Sequence, residues 1–254
     1  MTYTAIVLAG SRPGRDAFAE QFGTDLKALI PVGGEPMVVR PVKALLASKS
    51  VGDVIILSQA PERLASALPS DPRLKMRVSG ATISSTMLEL CNDPTINWPV
   101  LVTTADHALL GSATVDEFCA GAASADLAVG IVGKAALMAR LPASKRTWLN
   151  FRDGGFTGAN LFVLGSPKVA PAIELWRSVE QDRKKGWKLI ALLGPAALLG
   201  TLLRLLTIDD VLARLGRKLA LTICAVRLSN PIAGVDVDKA EDHALAEAIL
   251  AGRA

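Results

Sequence analysis

Aromatic residues are scarce in this chain, 4% of 254 positions, although the hydrophobic class as a whole reaches 50%. The apolar content is therefore mostly Ala, Leu, Val and Ile, which suits helices packed on a buried sheet better than an aromatic-rich β-sandwich. Charged residues are also few, at 20%, and with so much apolar chain a disordered protein is excluded. Neither sign dominates. The 28 basic residues exceed the 24 acidic ones by four, too few to argue for nucleic acid but compatible with an anionic small molecule or membrane surface. Cys91, Cys119 and Cys224 lack CxxC spacing, so neither a zinc site nor a redox pair is signalled, and each reads as a small buried hydrophobe. The first apolar run, at Thr4, has no basic n-region before it and no small-residue cleavage site, so no signal peptide is read and the expected compartment is cytoplasmic.

What the chain does contain is alternation. Short apolar runs at 4–9, 54–57, 74–78, 100–104 and 127–132 read as strands, and 36–46, 61–68, 83–91 and 115–123 as helices between them. Pro36 is expected to open the first of these helices. That rhythm predicts an α/β sheet with parallel crossovers, whose ligands bind beyond the carboxyl ends of the strands, after Ala9, Val78 and Thr104. Further on, strands at 148–151 and 159–164 flank a glycine turn at Asp153-Gly154-Gly155, and Pro167 starts a helix running to about Lys185. A strand at 219–226 and a helix at 240–250 close the sequence. With no repeat or linker, we expect one domain over 1–254 carrying an apolar helical insertion at about 168–218.

Within that insertion, Leu189 to Leu203 is a run of fifteen residues without a charge. It is shorter than the roughly 20 residues a spanning helix needs, and Gly194-Pro195 breaks it. Its flanks, Lys184, Lys185, Trp187, Lys188 and Arg204, suit an interfacial segment, with 186–206 touching the inner face of a membrane peripherally. A helix hairpin packed on the domain or at a homodimer interface is the preferred reading of the same run, with the membrane contact as the alternative.

Several residues could carry chemistry. The loop Gly10-Ser11-Arg12-Pro13-Gly14-Arg15 follows the first strand and combines glycines, which let backbone N–H groups approach phosphates, with arginines, which fork onto them. It is neither GxGxxG nor a P-loop. Lys27 sits at the lip of an apolar run, where its ammonium could follow charge that moves during phosphoryl chemistry. Asp106 ends the fourth strand and is a natural Mg²⁺ ligand, while His107 reads as structural or supporting. Asp236 and Asp238, one residue apart, share a face of an extended segment and could supply a second carboxylate. Glu241 and Asp242 read as first-turn acids of the last helix. Ser79 to Thr86 offers small residues and hydroxyls for base and ribose.

Together these segments resemble the MobA-like nucleotidyltransferases, relatives of the sugar- and polyol-phosphate nucleotidylyltransferases. The matching residues are Leu8-Ala9-Gly10, Arg12 or Arg15, Lys27 to Met37, Thr103 to His107, and Asp236 to Asp242, over roughly 3–135 and 229–250. The resemblance implies a Rossmann-like three-layer α/β sandwich of the glycosyltransferase-A-like nucleotidyltransferase type, with a mostly parallel sheet. It implies a Mg²⁺-dependent transfer of a nucleotidyl group from an NTP to a small phosphorylated acceptor (a sugar, polyol or lipid-headgroup phosphate), releasing pyrophosphate. Carried over, the catalytic set is Arg12, Lys27 and Asp106. Nucleotide contacts fall to Leu8, Ala9, Gly10, Ser11, Arg12, Arg15, Lys27, Gly80 and Ser85, and metal binding to Asp106 and Asp238, with Asp236 competing for the second place. The family's doubled glycine is Gly10-Ser11 here, which leaves Arg12 and Arg15 as rivals for the triphosphate. For the acceptor, Lys145 or Arg146 is expected to receive phosphate, and Thr157 and Asn160 to read hydroxyls. The competing functions are a molybdopterin-cofactor nucleotidylyltransferase, a glycosyltransferase of the same superfold, and a non-catalytic membrane-associated module. Asp-x-Asp late in the chain rather than at a mid-chain strand end argues against the glycosyltransferase.

Overall fold

The first apolar run becomes β1 (Tyr3–Leu8), an interior strand whose Tyr3, Ala5 and Val7 enter one core while Ile6 enters another. Both faces of the strand are buried, which is why it reads as continuous rather than alternating hydrophobicity. The structure is a computed structural model and describes residues 1–10, 14–80, 82–180 and 203–254. Ser11, Arg12 and all but the last few residues of the 186–206 segment lie outside the described residues, and with them the expectations placed there.

After β1 come the single-turn α1 (Ala17–Glu20), capped by the Asp16 carboxylate, and the small hairpin of β2 (Pro31–Val32) and β3 (Glu35–Pro36). Gly33 and Gly34 form its turn with φ of +63° and +81°. Positive φ at both central residues is the type I′ geometry that matches strand twist, and glycine adopts it without a Cβ penalty. This turn corrects the expected helix start at Pro36. The proline is committed to β3, and the helix α2 begins three residues later (Val39–Ala47). The chain continues through β4 (Val51–Ser58), α3 (Pro61–Ala65), β5 (Leu74–Val78), α4 (Ile83–Cys91), β6 (Val100–Thr104), α5 (Ser112–Gly121) and β7 (Leu127–Gly133). A short α6 (Lys134–Arg140), unforeseen in the sequence like α1, leads to β8 (Leu149–Phe151) and the long β9 (Gly154–Leu164). The turn between them is Arg152-Asp153; Gly154 and Gly155 already belong to β9, paired with Phe151 and Asn150.

Of the expected insertion, the described parts are α7 (Ala170–Glu180), after a 3-10 turn opened by Pro167, and α8 (Ile208–Leu219). The strand expected from Leu219 is corrected accordingly. A capping box between Thr207 and Asp210 starts a helix that takes in Leu219, Ala220 ends it at φ +54°, and β10 begins only at Ile223 (Ile223–Arg227). Among the described residues, no helix is long and apolar enough to cross a membrane. The last helix, α9 (Ala240–Leu250), falls where the sequence places it.

The main sheet runs β10-β7-β9-β6-β1-β4-β5, with β8 attached to β9. Its pairs are parallel except around β9, which runs antiparallel to β6, β7 and β8. Residues of α2, α5 and α6 cover one face, including Val42, Leu45, Phe118 and Leu137, and residues of α4 and α7 cover the other, including Met87, Leu90 and Ile173. This is the mostly parallel three-layer α/β sandwich expected. From β1 the chain goes to β4 on one side and to β6 on the other, so the strand order reverses between β1 and β6. The crevice beyond their carboxyl ends is where such sheets bind ligands.

Candidate active site

Both halves of that crevice carry expected residues. Asp106 lies two residues past β6, and its carboxylate is held at one oxygen by the Thr104 hydroxyl at 2.5 Å. The other oxygen meets the Lys27 ammonium at 2.7 Å, and the same ammonium meets Asp238 at 2.5 Å. Sequence separations of 79 and 211 residues are thus closed into one cluster. Lys27 is placed by a 3-10 turn (Lys27–Leu29) that the hairpin stabilises. Val38 N–H donates to Ala28 C=O at 3.0 Å and Met37 N–H to Ile30 C=O at 2.8 Å. Arg40 ties the same region to the far side of Asp106 through the Ala108 carbonyl, at 2.7 Å. Burial alone would lower the Lys27 pKa, but the two carboxylates outweigh it and hold the group above its ordinary 10.5, so it is cationic at neutral pH.

Asp238 comes from the extended segment before α9, which the Val237 N–H pins to the Asp106 carbonyl at 3.0 Å. Its neighbour Asp236 behaves differently. Arg146 donates to its carboxylate and, at 2.7 Å, to its backbone carbonyl, and Asn160 Nδ2 donates to the second carboxylate oxygen at 3.1 Å. Burial pushes the Asp236 carboxyl above its ordinary value, Arg146 pulls it down, and the fields of Asp238 and Asp106 leave it raised. His107 lies in the interior with Nδ1 3.3 Å from the Thr103 hydroxyl; burial drives its pKa down to about 4, leaving it neutral.

Counted as formal charges, Asp106, Asp236 and Asp238 exceed Lys27 and Arg146 by one negative charge. Two of the carboxylates already converge on a single cation, and that donor set fits magnesium, which usually takes one or two protein carboxylates plus substrate phosphates. Among the described residues, no three His, Cys, Asp or Glu side chains gather into a ready cage.

The other expected residues divide. Gly10 ends the loop's described start, where a Cβ would meet the Gln59 side chain at 2.9 Å; Gln59, just past β4, gave no signal in the sequence. Arg15 is exposed and paired with Glu20 at 2.6 Å. It rims a cleft of about 490 Å³ with Glu20, Thr24, Asp25 and Arg63. Gly80 N–H donates to the Thr86 hydroxyl at 3.0 Å, and Ser85 is the reciprocal partner of the Thr82 N-cap of α4. Thr157 is buried, its methyl against Gly234. Lys145 faces a second cleft, of about 570 Å³, shared with Arg140, Leu141, Lys239 and Glu241. Asn160 and Arg146 converge on Asp236, whereas Lys145 does not.

The sequence signals behind Lys239 and Thr86 were present, one beside the Asp-x-Asp and the other in the hydroxyl-rich Ser79 to Thr86 segment, but only the folded chain singles them out. Glu247 and His243 carried no such signal. On α9 they hold the hairpin, through the Gly33 N–H and the Pro31 carbonyl, each at 2.7 Å.

Comparison with solved structures places this geometry among known folds. A hypothetical transferase from Thermus thermophilus is 34% identical, with a TM-score of 0.80 over 96% of this chain and 100% of that one. A 4-diphosphocytidyl-2C-methyl-D-erythritol synthase from Anaerococcus prevotii shares the fold at 11% identity, with a TM-score of 0.62 over 98% and 96% of the two chains. So does a CMP:2-keto-3-deoxy-manno-octonic acid synthetase complexed with CTP, at 12% identity and a TM-score of 0.59 over 99% and 100%. No match was found among curated proteins. Residues 5–217 fit the family model of the MobA-like NTP transferase domain, and the chain belongs to that family.

Proposed function

We propose that the protein transfers a nucleotidyl group from an NTP to a small phosphorylated acceptor, a sugar, polyol or lipid-headgroup phosphate, in a Mg²⁺-dependent reaction. The observation that carries this reading is the Asp106–Lys27–Asp238 cluster at the point where the strand order reverses. In the reaction an acceptor phosphate oxygen bonds to the α-phosphorus of the NTP, the bond from that phosphorus to the bridging oxygen breaks, and pyrophosphate leaves with the electron pair. The nucleophile is already anionic at neutral pH, so no protein base is required, and the site has only to position and neutralise.

Asp106 and Asp238 would hold the magnesium ion, which supplies charge neutralisation for the triphosphate and the departing pyrophosphate. Thr104 fixes the Asp106 carboxylate while it does so. Lys27, relieved of the carboxylates, pairs with phosphate oxygens. Its ammonium suits this task because it can track charge as bonds change. For the acceptor we favour Lys145 and Lys239, which line the same cleft beside the Asp236-Asp238 segment. Lys239 is paired with Glu241 at 2.8 Å, both being largely exposed, and an exposed pair exchanges readily for a ligand phosphate.

The test is pyrophosphate release with Mg²⁺ and each of CTP, GTP, UTP and ATP against a panel of phosphorylated sugars, polyols and glycerols. CTP is tried first because two fold relatives carry cytidylyl chemistry in their names. Release requiring one NTP and one acceptor, and abolished in Asp106→Ala, supports the reading. Release that survives Asp106→Ala, or absence of both release and nucleotide binding, refutes it.

A further inference from the structure

Asp236 was a rival for the second metal place, yet its contacts give it another task. Both carboxylate oxygens are engaged, one by Arg146 and the other by Asn160, and Arg146 also takes its backbone carbonyl. Turning that carboxylate onto a cation would break both side-chain contacts and leave Arg146, whose side chain is only 14% exposed, with the backbone carbonyl but without its counter-charge. Breaking a largely buried pair in this way is strongly unfavourable.

The way Asn160 reaches Asp236 is equally specific. Pairing of β9 with β7 is regular at Val129–Phe162 and again from Ile131–Gly158. Between those pairs Gly130 alone opposes Ala159, Asn160 and Leu161, so β9 bulges there. Asn160 takes φ +47°, a left-handed conformation that Asn tolerates better than most side chains. Bulges of this kind re-aim a side chain, and this one delivers an amide to Asp236 at the carboxyl end of β6. A strained residue, an interrupted ladder and a largely buried ion pair are all assembled on one carboxylate that is two residues from Asp238.

We infer that Arg146 and Asn160 are positioning residues, clamping Asp236 so that the Asp236-Val237-Asp238 segment stays in register with Asp106 and Asp238 can share a divalent cation with it. The clamp acts at one end of the segment, and the Val237 N–H to Asp106 carbonyl bond fixes its middle. Asp238 itself is 61% exposed and gains little from packing, so its backbone position depends on those anchors while the Lys27 ammonium holds its carboxylate. This inference rests on the reading that Asp106 and Asp238 bind the metal, and it removes Arg146 from the acceptor's phosphate site.

The experiment is Mn²⁺ binding to the full-length protein, read from loss of the free-ion EPR signal, with circular dichroism to confirm folding. Arg146→Ala and Asn160→Ala are expected to weaken Mn²⁺ binding about tenfold, as removal of residues supporting a metal ligand typically does. Arg146→Lys, which keeps the charge without the fork, should lose less. In turnover assays the apparent KM for Mg²⁺ should rise while the acceptor KM stays within twofold. A purely structural role would lower Tm in these variants and leave Mn²⁺ affinity unchanged. If Arg146→Ala fails to fold, Arg146→Lys and Asn160→Ala decide. Folded variants with wild-type Mn²⁺ affinity overturn the clamp alone, as does a tenfold rise in acceptor KM at unchanged kcat, which would return Arg146 to the acceptor. Failure of the wild type to bind Mn²⁺ overturns the functional reading and the clamp with it.

Discussion

At the scale of single residues, Lys27 is both a stabiliser and a competitor. Its ammonium offsets the repulsion between Asp106 and Asp238, and in doing so occupies the space between the two carboxylates that the functional reading assigns to a divalent cation. Lys27→Met should therefore have two effects of opposite sign. Mn²⁺ binding to the nucleotide-free protein should tighten, because no ammonium competes. Turnover should fall by about 10²–10³-fold, the usual loss when one charge-stabilising group is removed from a transition state. Weaker Mn²⁺ binding in that variant would show that Lys27 does not stand between the carboxylates. The raised Lys27 pKa also fixes a sign. Its contribution to stability is fully present below 10.5 and is lost only as pH rises through the still higher folded value. A pH–rate profile from 6 to 9 should accordingly show no limb from this lysine. Single residues were also where the sequence was most ambiguous. Asp236 and Asp238 are the same residue type one position apart, and only their partners, Arg146 with Asn160 against Lys27, tell them apart.

At the scale of elements, the parts that carry local signals appear where the sequence places them. The strands at Leu74–Val78 and Val100–Thr104 and the helices at Ile83–Cys91 and Ala240–Leu250 match residue for residue. The departures occur where a turn or a cap overrides periodicity, as the Gly33-Gly34 turn does before α2 and the Thr207–Asp210 box before β10. Connections between elements rest on side-chain bonds that no local pattern announces. Asp116 of α5 is one. It accepts from the Ser48 hydroxyl at 2.6 Å and the Ser50 N–H at 3.0 Å, joining α5 to the loop between α2 and β4. Burial raises its carboxyl pKa, but these bonds and the Lys49 backbone outweigh burial and hold it below 3.8. Its stabilisation is therefore present above that value and lost as pH falls through the depressed one. Asp116→Ala should cost about 1 kcal/mol at pH 7, a typical net value for such bonds at a partly exposed site. Urea titrations at pH 7 and pH 3 check this: the gap to wild type should narrow at the lower pH, and a constant gap would mean the carboxylate's charge is not involved.

At the scale of the whole molecule, stability comes from two cores divided by the sheet, and the site from the reversal in strand order between them. Phe118 is fully buried in the larger core, where a Cβ at Gly130 would lie 3.5 Å from its ring, and the Cys119 carbonyl next to it accepts from the Tyr3 hydroxyl at 3.0 Å. Phe118→Ala should destabilise the protein by about 3–5 kcal/mol, the cost of lost transfer plus an incompletely collapsed cavity. The measurement is a lower urea midpoint at unchanged slope, with nucleotide preference retained in the folded fraction. A loss under 1 kcal/mol would mean that the core refills around the missing ring. The sequence by itself determined the alternation of strand and helix, the parallel sheet, the family resemblance, and Lys27, Asp106 and the Asp236-x-Asp238 pair as candidates. These are consequences of local propensity, buried-strand hydrophobicity and chemistry that each segment displays on its own. The tertiary structure alone decided which of the two late carboxylates meets the Lys27 ammonium, that Arg146 and Asn160 bond to Asp236, and that Lys145 shares a cleft with Lys239. Those facts depend on distances between segments about 80 to 210 residues apart, which are set by sheet order, a bulge in β9 and the packing of two cores, and no residue type encodes them locally.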